Sequence, residues 1–88
     1  MNYLLVHHRV QDFQQWKVLY DGHQPMRQQA GVKEVHLWHA AQDPNDVTLL
    51  FEASDLPKAK AFAESADLRQ VMTKAGVIGN PDVTYLKD

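Results

Sequence analysis

No cysteine occurs in the chain, which excludes disulfides, thiolate metal sites and cysteine nucleophiles. Basic residues are not in excess either: nine Lys and Arg stand against eleven Asp and Glu, for a net charge of −2. With no basic cluster, neither a nucleic acid nor an anionic membrane surface is an expected partner. Apolar runs are short. The opening MNYLLVHHRV has no basic n-region and no small-residue cleavage site, and is too brief for a signal peptide or a membrane span. Serine is scarce; Ser54 and Ser65 fall at helix boundaries with no G-x-S-x-G around them, which speaks against a serine hydrolase. No repeat, linker or low-complexity segment is present. Residues 1–88 are expected to form one small cytoplasmic domain. A chain this short buries a modest share of its surface, so its stability is expected to rest partly on self-association.

The residues that are present fall into clear periods. YLLVHHRV (residues 3–10) reads as a strand. Asp12 is suited to cap a helix on which Phe13, Trp16, Tyr20, His23 and Arg27 recur on one face. Gly22 and Pro25 predict a break near 22–25, with a second piece to about Ala30 and a stop at Gly31. KEVHLWHAA (33–41) and VTLLFEAS (47–54) read as two strands joined by the turn QDPND. Ser54 or Asp55 then caps a second helix with Pro57 in its first turn. Its apolar side is Ala59, Phe62, Ala63, Ala66, Leu68, Val71 and Met72; it bends at 65–67 and ends at Gly76. Pro81 and Asp82 begin a new segment, and VTYL (83–86) is the last strand. The order β-α-β-β-α-β predicts an α+β, ferredoxin-like fold: a four-stranded antiparallel sheet with two helices on one face.

Alternation assigns Leu4, Val6, His8, Val10, Val35, Leu37, His39, Val47, Leu49, Phe51, Ala53, Val83 and Tyr85 to the helix-covered side. The opposite side carries Tyr3, Leu5, His7, Arg9, His36, Trp38, Thr48, Leu50, Glu52, Thr84 and Leu86. Tyr3, Leu5, Trp38, Leu50 and Leu86 together predict an apolar patch on that open face, and the economical way to cover it is a homodimer joined there. His7 and His36 would lie in that interface and make it sensitive to pH near 6 to 7.

His8 therefore shares a side with the aromatic stripe of the first helix. Aromatic walls with a few convergent polar groups are how small-molecule sites are built. In that reading His8 is a general base or polar anchor, Trp16, Tyr20, Phe51 and Tyr85 contact the ligand, and His23 and Arg27 hold its polar atoms. The plainer reading makes the stripe a core, His8 a buried histidine bonded to backbone or to Asp12, and Arg27 a cation favourable to a helix end. Trp16 is expected near His8, whereas His23 and Arg27 are expected roughly 13 Å away at the other end of the cleft, beside His39. Five histidines invite a metal, but His7 and His8 diverge, His36 and His39 diverge, and no H-x-x-x-H or carboxylate pair completes a site. Gly76 and Gly79 in AGVIGNP neither follow a strand nor open a helix, so a phosphate loop is not expected. Asp43 and Asp46 are turn formers, and Glu52 and Glu64 have no evident partner, which leaves a carboxylate-pair mechanism unsupported.

The set His8, Val10, Asp12, Phe13 and Trp16, followed by Tyr20, His23, Arg27, the DPND hairpin and FAESADLRQVMTKAGVIGNPDV, resembles the small dimeric α/β-barrel proteins of the antibiotic-biosynthesis-monooxygenase-like superfamily, its bacterial cyclase-like members in particular. The resemblance implies two ferredoxin-like sheets packed into a barrel across a two-fold axis, with a ligand cleft between sheet and helices. It also implies chemistry of the kind its relatives perform without a cofactor, the oxidation of aromatic polyketides or quinols, or lactone isomerisation. Haem degradation is disfavoured, because neither Trp16 nor Trp38 has an evident Asn partner. On this reading the protein binds a small aromatic or quinone-like molecule and is a candidate cofactor-independent monooxygenase or cyclase/isomerase. The alternative is a non-catalytic module with a closed core.

Overall fold

The computed structural model describes all 88 residues. They form β1 (Asn2–Val10), α1 (Phe13–Gly22), α2 (Gln24–Gln29), β2 (Val32–Ala40), β3 (Asp43–Ala53), α3 (Leu56–Ala63), α4 (Ala66–Lys74) and β4 (Val77–Lys87). The strands make one sheet in the order β2-β3-β1-β4 with every neighbour antiparallel, which is the ferredoxin-like arrangement. Each crossover helix is broken into two, at the places the sequence marks. Pro25 sits in the first turn of α2, where its missing N–H and fixed φ do no harm. Ser65 takes an extended conformation between α3 and α4. Its hydroxyl donates to Phe62 O at 2.9 Å and accepts from Leu68 N at 3.1 Å, so it closes one helix and caps the next. No helix is long and apolar enough to cross a membrane.

Asp12 caps α1, accepting from Gln14 N at 2.9 Å and Gln15 N at 3.4 Å. A second contact fixes where that helix starts. Asn45, in β3, accepts from Phe13 N at 2.9 Å and donates to Gln11 O at 3.3 Å. The DPND segment is thus a tie between β3 and the β1–α1 connection as well as a turn. At the far end, Gly31 has φ +73° and its carbonyl accepts from Ser54 N at 3.0 Å. A Cβ there would collide with the Ser54 hydroxyl.

The helix-covered face is built from Leu4, Val47, Leu49, Phe51 and Ala53, all buried, and Trp16 and Ala59 close on it from the helices. Three irregularities depart from simple alternation. In β2, Glu34 opposes Phe51 but His36 opposes Leu50, so Val35 is the extra residue of a bulge. Val35 is consequently 41% exposed instead of facing the helices, while Val32 and Glu34 take the inner positions. In β3, the strand begins at Asp43, and Pro44 to Asp46 bulge away from β2 between the pairs Ala40↔Asp43 and His39↔Val47. In β4, the strand begins at Val77, six residues before the expected start, and bulges between Ile78 and Asp82. Gly79 there has φ +70°, and Pro81 is tolerated because β4 is an edge.

On the opposite face, directly paired residues form rows across the sheet. Leu86, Tyr3 and Glu52 make one row, Thr84, Leu5, Leu50 and His36 the next, and Asp82, His7, Thr48 and Trp38 the third. His36 and Trp38 stack with ring centroids 4.8 Å apart. Trp38 is 46% exposed and Leu86 39%.

Candidate functional site

The stripe of α1 lies across β1, with its first turn over the C-terminal end of the strand. Trp16 meets His8 edge-on with centroids 5.4 Å apart, Tyr20 stacks on Trp16 at 4.8 Å, and the Arg27 guanidinium covers the Tyr20 ring at 3.7 Å. These four side chains form a continuous ladder from one end of the sheet to the other. Beside it lies a cavity of about 110 Å³. Leu4, Val6 and Phe51 floor it, Leu19, Phe62 and Met72 roof it, and Val83 and Pro81 of β4 close one side.

His8, Trp16, Tyr20, His23, Arg27 and Phe51 all line this space. Tyr85 does not; it shares the inner face but lies under Lys60, whose Nζ is 5.7 Å from the ring. His39 is at the His8 end of the sheet and packs on Phe13 at 5.5 Å, not near His23 as the sequence suggested. The cause is topological: β2 runs parallel to β1, so its C-terminal residue arrives at the same end. His23 stacks on Phe62 at 6.1 Å, and burial followed by the nearby Arg27 charge holds its pKa below the ordinary histidine value.

His8 is 6% exposed, and its Nδ1 has no hydrogen-bond partner. Asp12 does not bond it, and the one backbone group acting on the ring, the carbonyl of His8 itself, lies outside hydrogen-bond geometry. Burial, with a smaller contribution from His7, lowers its pKa to about 4, opposed in part by the ring's interaction with its own backbone carbonyl. At neutral pH the His8 ring is therefore neutral. Its neighbour Tyr20 is held neutral as well. Burial, then donation to Glu34 Oε1 at 2.7 Å, pushes its pKa up. Glu34 could not be identified from the strand pattern because the bulge at Val35 reverses the faces. Asn45 was hidden by its turn-like context, although an Asx residue close to a helix start is a usable signal. No group of three His, Asp or Glu side chains is placed to hold a metal ion.

No family model and no curated protein matches the sequence. Solved structures do match in fold. A Bordetella bronchiseptica protein provisionally named an antibiotic biosynthesis monooxygenase superposes with a TM-score of 0.79, covering 99% of this chain and 95% of that one at 17% identity. A Nitrosomonas europaea protein of the same provisional name gives 0.71 over 100% and 98% at 16% identity. The chain has the fold of these proteins. The resemblance carried by the His8–Trp16 motif is therefore borne out at the level of architecture. A Burkholderia xenovorans NIPSNAP domain protein also shares it, with a TM-score of 0.68 over 100% and 94% at 9% identity, so the architecture alone does not select a chemistry.

Proposed function

We propose that this protein binds a small aromatic or quinone-like molecule in the cavity beneath α1, with His8 as its polar anchor. The reading rests on the aromatic-walled cavity that the His8 ring lines and on the unpaired Nδ1 of that ring. A buried polar atom without a partner is costly to the fold, and a turn of the ring toward the cavity would bring it to a ligand hydroxyl or carbonyl. Either tautomer serves: an unprotonated Nδ1 accepts from a phenol, and a protonated one donates to a quinone oxygen. Trp16, Tyr20 and Phe51 supply the walls. With a pKa of about 4, His8 is too weak a base to take a phenolic proton at neutral pH, which favours an anchoring role over general-base catalysis. The volume of about 110 Å³ is near the ~150 Å³ apolar cavity that holds one benzene ring in another protein, which points to a single ring. Turnover of such a ring by dioxygen, or its isomerisation, is the second reading. It is favoured by the names of the fold neighbours, and oxygen uptake with substituted hydroquinones tests it.

Calorimetric titration with 4-methylphenol and toluene tests the binding reading. Both should bind the wild type, and His8→Phe should weaken 4-methylphenol by roughly 5–30-fold, the equivalent of one hydrogen bond, while leaving toluene within twofold. Absence of 4-methylphenol binding at millimolar concentration, or equal weakening of both, contradicts it.

A further inference from the structure

We infer that Arg27 is a carboxylate subsite at the far end of the cavity, so that the ligand is an aromatic or apolar acid. This rests on the binding reading above and goes beyond it by naming the head group. Arg27 is 8% exposed and takes part in none of the molecule's ion pairs. A largely buried cation is ordinarily paired; the Arg27 nitrogens without a protein acceptor stay in reach of solvent, and so of a dissolved anion. The two acids nearest in influence, Glu34 and Asp21, are engaged elsewhere. Glu34 accepts the Tyr20 hydroxyl, and Asp21 pairs with Lys17. One Arg27 N–H donates to Tyr20 O at 2.8 Å and one face of the guanidinium rests on the Tyr20 ring. The stack holds the planar group in a fixed orientation, and the remaining N–H donors lack protein partners. Such a fork matches the two oxygens of a carboxylate. Arg27 also borders a hollow between α2 and β2, lined by Gln24, Gln28, Lys33 and Glu34, with the Glu34 carboxylate occupied by the Tyr20 hydroxyl. The head group can thus sit where the cavity meets the surface while the apolar body lies inside.

The test compares 3-phenylpropanoate with 3-phenylpropan-1-ol, which share ring and chain and differ in the charged end, by chemical-shift titration at pH 7.5. The wild type should bind the acid at least tenfold more tightly than the alcohol. Arg27→Gln should abolish the preference, bringing the acid to within about twofold of the alcohol measured on the same variant. Arg27→Lys, which keeps the charge without the fork, should restore only part of the preference. Equal affinity of acid and alcohol for the wild type overturns the inference while the cavity reading stands. Failure of both, with 4-methylphenol still bound, also overturns it. Failure of all three ligands removes the cavity reading itself. If the Gln variant does not fold, the wild-type comparison decides alone.

Discussion

His8, in the same direction as His23, gives the cavity a pH signature on the acid side of neutrality. Its folded-state pKa is about 4 against an ordinary 6.5, so below pH 6.5 the unfolded chain binds a proton that the folded chain refuses. Stability from this residue is fully present above about pH 6.5 and is lost progressively between 6.5 and 4, by up to about 3 kcal/mol. Urea unfolding of wild type and His8→Phe across that range should show the wild type losing this increment and the variant lacking it. At pH 7.5 the same substitution should change stability by less than about 1 kcal/mol, because an aromatic of similar shape removes an unsatisfied polar atom. A loss of several kcal/mol at pH 7.5 would mean that His8 is a structural residue after all.

Asn45 shows how one element is set in place by another. Its two bonds to Phe13 N and Gln11 O fix the start of α1, and with it the height of Trp16 over His8. Asn45→Ala should cost about 1–2 kcal/mol in chemical unfolding and also loosen any ligand bound at Trp16. Gly31→Ala should be more severe for its size. It forces a side chain into φ +73° and against Ser54, so a drop of about 1–2 kcal/mol or more in the same assay is expected. The broken helices were legible in the sequence because Pro25, Gly31 and the Ser65 cap act locally. The bulges at Val35, Pro44–Asp46 and Gly79–Pro81 were not. Reading alternation assumes an unbroken period of two, and a single extra residue, set by the partner strand, reverses every face beyond it. The alternation therefore places Val35 inward and gives no sign of Glu34, the partner of Tyr20. The aromatic ladder from His8 to Tyr20 could be read because helix and strand periods needed no partner information. The position of His39 could not, since it follows from strand order.

At the scale of the molecule, the folded chain exposes 5770 Å², against roughly 5,300 Å² for an average monomer of its mass. The open sheet face contributes exposed Trp38 and Leu86 beside half-buried Tyr3, Leu5 and Leu50. We propose that a second copy of the chain covers this face, closing the barrel that the fold resemblance implies. Sedimentation at micromolar concentration should give about twice the 10.1 kDa chain mass, and Trp38→Glu, which places a charge on the exposed edge-strand side of that face, should give the single-chain mass. A wild type that sediments as one chain at every concentration would remove this proposal without touching the cavity.

If the proposal holds, a small ring occupies the cavity beside the contacting His8 and Trp16 rings and hydrogen-bonds the His8 imidazole. Nuclear Overhauser contacts between bound 4-methylphenol and the rings of His8 and Trp16, together with a shift of the His8 Nδ1 resonance, test it most directly. Contacts to both rings are expected, with a shift that toluene does not produce. Contacts confined to the exposed face around Trp38, or an unmoved Nδ1 resonance with the phenol bound, would contradict it.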